Sequence, residues 1–392
     1  MRRYRPRCDH LSADRPQLLI TPLLLVIAYR YNVLRLLGMP EARWIIIGLH
    51  LVLLLVIGMH QGVLVDKEAL KYTGCARDVL AGDFHDLFGN YLKYASYILF
   101  LLPFVALDSL GLAILAQVVI GVIAAEALGR WTERSSGNVG LGRLAMALFL
   151  LCPLIQTWTL SLYTEYFFTC VVILFIERMD REPQLAPSLL ALGLITLFGR
   201  PTGIFFAGPA FVWIFREHLP TSIRPWLLPL TGTVIILLAL GVPRIEHAQL
   251  APIAAGQVIA GVGGVGADDF KGHTIGAAQR YLVDHVGLTE WGHITLRRLT
   301  SLFTLTRPYF SLAHNAVNAI FFALYPLAII GLWRSWGQTR VRLILALIVL
   351  NGALVALTHD EWSGRFLVPL LPWLIALAVL GLREHRAPRA QV

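Results

Sequence analysis

Long apolar runs separated by short polar stretches recur from residue 43 to residue 382. Runs of roughly 17 to 25 residues are what a helix needs to cross a bilayer, and these lack the alternation of a membrane strand. The pattern predicts ten spans, near 43–61, 109–129, 144–158, 161–178, 186–199, 202–216, 225–243, 313–333, 342–358 and 365–382. The expected fold is an all-α polytopic membrane protein of about ten transmembrane helices, since a lipid-embedded backbone must satisfy its own hydrogen bonds. The run 17–38 is interrupted by Arg30 and Arg35 and lacks a cleavage site, so it reads as an interfacial helix rather than a signal peptide. A short extra span is the alternative reading of that run.

Between the first two long runs the pattern changes character. In VDKEALKYTGCARDVLAGDF, Ala69, Tyr72, Ala76, Val79 and Leu80 recur at steps of mostly three and four, which predicts an amphipathic surface helix over 67–81 ended by Gly82. The apolar stretch 91–108 is expected to lie in the interface rather than to cross. With it uncrossed, every segment on one side carries at least two arginines: MRRYRPR, RWTERSSGNVGLGR, ERMDRE, REHLPTSIR, RSWGQTRVR and REHRAPRAQV. That side is expected to be cytoplasmic. The division is then a cytoplasmic or interfacial segment 1–42, a membrane domain 43–382 and a cytoplasmic tail 383–392. The membrane domain carries a first outer loop over 62–108 and a large one over 244–312.

Composition agrees with this reading. Of 392 residues, 57% are hydrophobic and only 15% charged, below the ~25% of a soluble domain; mean hydropathy is +0.67. The net charge of +9 lies mostly between spans and reads as a topology signal, not a nucleic-acid face. Cys8, Cys75, Cys152 and Cys170 have no metal-ligand spacing, and no disulfide is expected.

The candidate chemistry gathers on the outer side, where the acids are expected to collect at span ends. Asp66 closes the first span, followed by Lys67 and Glu68, with Tyr72 one turn on. Asp66 there either acts on a substrate at the water–lipid boundary or caps the surface helix. Glu165 sits about one turn inside an apolar span, where an unpaired carboxylate costs ~2.5–3.5 kcal/mol or more. It is therefore expected to be paired, to bond another helix or to face a watery cavity. Arg200, Arg365 and Arg307 are candidates to hold a lipid phosphate through the guanidinium fork; snorkelling to the interface is the alternative. Tyr309, His314, Asp360 and Glu361 complete the outer-face set. A divalent ion shared by Asp66 and Glu165 is chemically conceivable.

The first span ending in VDKEALKYTGCARDVLAGD, then LCPLIQTWTLSLYTEYFF, FGRPTG and DEWSGRFLVPLLP, occur in an order that resembles the GT-C superfamily of polyprenyl-phosphate-sugar-dependent glycosyltransferases. The similarity is to bacterial relatives of the protein O-mannosyltransferase and aminoarabinose transferase group, and runs from about Arg43 to Leu382. The resemblance implies outward surface helices at 67–81 and 91–108, Asp66 at the catalytic acid or base position and Glu165 as the second acid. It also implies a polyprenyl-phosphate sugar donor, an envelope glycan, lipid or protein acceptor, and an active site on the periplasmic face of a bacterial inner membrane. The chain is shorter than the larger members, with no C-terminal soluble domain recognisable, and carries a single Asp where they have an acid–x–acid pair.

Three other readings stand beside it. An O-antigen polymerase or ligase would suit the 244–312 loop but gives Asp66 no special role. A lipid or solute transporter predicts symmetric halves and polar groups at mid-membrane depth, neither of which the sequence displays. A structural scaffold leaves the outer-face charges without purpose.

Overall fold

A computed structural model describes residues 32–181, 186–215, 220–241, 247–307, 310–361 and 364–383. Among them the chain is all helix and turn, with three isolated backbone bridges. Only residues 32–38 of the expected interfacial helix fall within the described residues, and 32–37 are helical. The tail beyond Arg383 lies outside them.

Among the described residues, four helices are long and apolar enough to cross a membrane: α1 (Ala42–Gln61), α4 (Leu110–Ser136), the broken helix Leu312–Arg334 and α14 (Thr339–Leu357). The other expected spans are helical too, but shorter. They are α5 (Val139–Leu150), α6 (Thr164–Arg181), α7 (Pro187–Leu197), α8 (Ile204–Phe215), α9 (Leu227–Gly241) and α15 (Leu371–Gly381). Proline accounts for much of the shortening. Pro153 ends α5 early and starts a single turn at Pro153–Gln156; Pro369 and Pro372 leave 365–370 in turns before α15 begins. Pro326 divides 312–334 into α12 (Leu312–Ile320) and α13 (Leu324–Arg334), joined by one 3₁₀ turn.

The apolar surface is what a bilayer requires. On α1, Trp44, Ile45, Leu49, Val52, Leu55 and Met59 are all exposed, a patch that would aggregate in water. Inside, α15 is buried on every side, and Trp373 meets Trp131 of α4 edge to face with ring centroids 5.6 Å apart. Helices α13 and α15 touch through backbone: a Cβ on Gly331 would strike the Leu377 carbonyl, and one on Gly381 the Leu327 carbonyl. Such small-residue contacts are a main source of helix adhesion in lipid. Gly331→Val is expected to lower the thermal unfolding temperature in detergent by roughly 5 °C, the effect of ~1–3 kcal/mol of overpacking. Gly48→Val, whose Cβ would meet open space, is the control and is expected to leave it unchanged.

Two polar layers mark the two ends of the bundle. At one end Arg43 meets Glu126 (2.5 Å), Arg130 and Arg134 meet Glu177 (3.3 and 3.0 Å), and Arg134 and Arg340 meet Asp180 (both 3.1 Å). Glu126, Glu177 and Asp180 sit in α4 and α6, and they interlock the arginines that the sequence presents as topology signals.

At the other end lie two surface helices, α2 (Glu68–Leu80) and α3 (Ala95–Ala106). Helix α2 buries Ala69, Tyr72, Ala76 and Val79 against α3, as its period predicts, whereas Leu80 at its last position is exposed, and Gly82 at φ +87° follows its end. With 12 residues, α3 is about 18 Å long. Tyr97 pins it by donating to Gln117 of α4. The large loop contains α10 (His247–Ala254) and α11 (Ile275–Phe303), the latter kinked at Gly287 (φ 79°, ψ 162°). Between them the glycine-rich run pairs with the 358–365 loop: Asp360 N–H donates to Val258 O and Ala260 N–H to Asp360 O.

Candidate active site

The site begins with a backbone contact that joins the ends of two predicted spans. Leu64 N–H donates to Leu160 O, and Leu162 N–H donates to Leu64 O. This bridge fixes the register between Asp66, two residues after Leu64, and Glu165, three after Leu162. The two acids thus belong to one constellation although 99 residues apart in sequence.

Asp66 is exposed at the lip. It does not cap α2 with its side chain: Lys67 occupies the cap position without a side-chain bond, and only the Asp66 carbonyl accepts from Ala69 N–H. The Asp66 carboxylate instead accepts from the Tyr163 hydroxyl at 3.3 Å. Exposed Lys67 sits at φ 49°, ψ −108°, a sparsely populated conformation for a residue with a Cβ. That sharp turn points α2 back across the end of the bundle.

Behind the lip, four charges interlock. Glu165, fully buried in the first turn of α6, receives Arg365 Nε on Oε1 at 2.5 Å and Arg200 Nη2 on the same oxygen at 3.2 Å. Arg365 Nη2 also meets Glu68 Oε2 at 2.5 Å, so one guanidinium bridges two carboxylates. Its guanidinium carbon lies 5.6 Å from the Tyr163 ring centroid and 5.9 Å from that of Trp158. Tyr72 donates to Glu68 from below at 3.4 Å. Burial pushes the Glu68 pKa up, but the Arg365 hydrogen bond and charge, with Lys71 and Arg200, outweigh it and leave the group below its ordinary value. Half-buried Glu361 goes the other way, raised by burial more than Arg365 and Arg200 can offset.

Arg307 and Asp360 form a separate, buried unit. Arg307 Nη2 meets Asp360 Oδ2 at 2.6 Å, and Ser301 donates to the same oxygen at 2.8 Å while accepting from Arg307 Nη1 at 2.7 Å. Both side chains are committed to holding α11 against the 358–365 loop. A groove of about 220 Å³ runs beside this unit, lined mainly by Leu64, Leu154, Trp158 and Leu367, with Arg307 and exposed His314 at its polar edge. Tyr309 lies outside the described residues.

The structure thus brings Asp66, Glu68, Tyr72, Glu165, Arg200 and Arg365 together, and sets Arg307, Asp360 and His314 apart. Sequence reasoning missed Tyr163 and Trp158, although both flank Glu165 within QTWTLSLYTEYFF. For the divalent ion weighed from sequence, Glu165 Oε1 already faces two guanidinium groups, and no three His, Cys, Asp or Glu side chains converge among the described residues. Compared with family models, curated proteins and solved structures, the chain finds no match.

Proposed function

We propose that the chain is a membrane glycosyltransferase that moves a sugar from a polyprenyl-phosphate donor to an acceptor at the outer face of a bacterial inner membrane. The observation that carries this reading is the exposed Asp66 carboxylate, set at the end of a crossing helix and tied in register to a cluster of two arginines and two carboxylates. In this reading all ten apolar helical segments cross, both termini are cytoplasmic, and α2 and α3 lie on the outer surface. The end bearing Arg43, Arg130, Arg134 and Arg340 is cytoplasmic, in keeping with the excess of positive charge expected there.

The chemistry follows from the positions. Asp66 takes the proton of the acceptor hydroxyl or amine as that atom attacks the anomeric carbon. The bond from that carbon to the phosphate oxygen breaks through an oxocarbenium-like state, and the polyprenyl phosphate leaves with the electron pair. A guanidinium of the cluster offsets the charge developing on the phosphate. Tyr163 orients Asp66, and Glu165 holds Arg200 and Arg365 in place. The acceptor is a glycan, lipid or protein of the envelope.

The test is transfer by the purified chain in liposomes, offered a panel of polyprenyl-phosphate sugars with envelope extract as acceptor. Transfer of label from at least one donor is expected. Failure with every donor, in protein that remains folded, would return the chain to the polymerase or transporter readings.

A further inference from the structure

Charge counting at the cluster raises a problem that its geometry answers. Glu68 and Glu165 engage Arg200 and Arg365 two against two, and half-buried Glu361 stands close enough to interact with all four charges. An incoming phosphate would find both guanidinium groups taken, and adding an anion to a half-desolvated cluster that already has a carboxylate for every arginine is costly. One carboxylate must therefore withdraw.

The two carboxylates are not held alike. Glu165 is fully buried and shared by two arginines, and its helix is enclosed along most of its length. Glu68 retains 32% of its side-chain exposure, opens a surface helix and hangs from the turn at Lys67. Its second tie, the Tyr72 hydroxyl at 3.4 Å, is long. Lys71, one turn along α2 and exposed, contributes to the charge around Glu68 and offers it another partner after release. Arg200, by contrast, is 6% exposed and meets Glu165 and the Arg365 carbonyl.

We propose that Glu68 is a placeholder for the phosphate: it occupies the Nη2 edge of Arg365 in the empty site, and a phosphoester oxygen displaces it there. This deepens the glycosyltransfer reading by naming Arg365, rather than Arg200 or Arg307, as the residue that takes the lipid phosphate. It makes Glu68 a tuning residue, whose withdrawal keeps a second anion off Arg365 as the phosphate enters. The exchange is carboxylate for phosphate on one guanidinium edge, with no covalent step.

Binding tests this without turnover. The reconstituted full chain is titrated with farnesyl phosphate, with farnesol as the uncharged control and inorganic phosphate as the free anion. Glu68→Gln, which keeps the shape but gives up the charge, is expected to bind farnesyl phosphate roughly tenfold tighter than wild type, having lost a charged competitor. Glu68→Gln/Arg365→Gln is expected to lose that gain, with thermal unfolding run in parallel to show that it folds. Equal tightening for inorganic phosphate supports the same exchange and assigns no role to the isoprenyl chain; tightening for farnesyl phosphate alone supports it with the chain contributing. Unchanged or weaker binding by Glu68→Gln overturns the proposal, as does tighter binding that survives loss of Arg365 or extends to farnesol. If Glu68→Gln tightens phosphate binding in a protein that transfers no sugar, the exchange stands and the transferase reading fails.

Discussion

Asp66→Asn is expected to lower sugar transfer by roughly two to four orders of magnitude, the contribution of a positioned general base. Thermal unfolding should not move. The side chain is exposed, does not cap α2 and makes one contact, the 3.3 Å bond from Tyr163. Asparagine preserves shape and can still accept from that hydroxyl, so basicity is the property removed. The comparison is the initial rate in liposomes at saturating donor, wild type against variant. A variant that transfers at the wild-type rate would remove Asp66 from the chemistry and leave its place at the lip a matter of topology.

Removing the buried acid has a different signature. Glu165→Ala is expected to cost ~3–5 kcal/mol, the range for breaking a buried ion pair from one side. Arg200 and Arg365 would both lose the oxygen they share, and Arg200 is nearly enclosed. The readouts are thermal unfolding in detergent and the yield of folded protein in the membrane. Glu165→Gln should be milder, since the amide oxygen can still accept one of the two donors. An unaltered unfolding temperature in Glu165→Ala would mean that the arginines find other partners and that the cluster is held from elsewhere. The two variants separate the roles, one losing rate and the other losing structure.

The helical architecture was legible because lipid leaves so few choices. Each of the ten predicted spans is helical over most of its described residues, and the period over 67–81 located α2 to within a residue or two at each end. Proline was the signal given too little weight: Pro153, Pro326, Pro369 and Pro372 cut the runs at 144–158, 313–333 and 365–382 into shorter pieces. The site residues were legible one at a time. Their partners were not, because pairing in a bundle is decided by which helices meet. Nothing within THDEWSGR says that Asp360 belongs to Arg307 while Arg365, five residues on, belongs to Glu165 and Glu68. The same limit hid His50, buried midway along α1 with Nδ1 donating to Leu150 O at 2.9 Å, and Asn351, buried in α14. An isolated polar residue in an apolar run gives no sign of the carbonyl that will satisfy it.

The spacing of the cluster along the chain also orders its assembly. Arg365 follows Glu165 by 200 residues, which at ~5–20 residues per second is some 10–40 s of synthesis. For that interval the first partner available to Glu165 is Arg200, which is made shortly after it. Glu68 waits longer still, with Lys71 beside it. The glycine-rich run around Ile259 is in the same position, since its backbone partner Asp360 is also made late. The end of the protein that holds the cluster therefore closes late, together with the buried α15 that follows it in the chain, however early its first acid enters the membrane. A ribosome stalled before residue 360 leaves a bundle most of whose helices exist but which lacks α15, the bridging arginine and the strap.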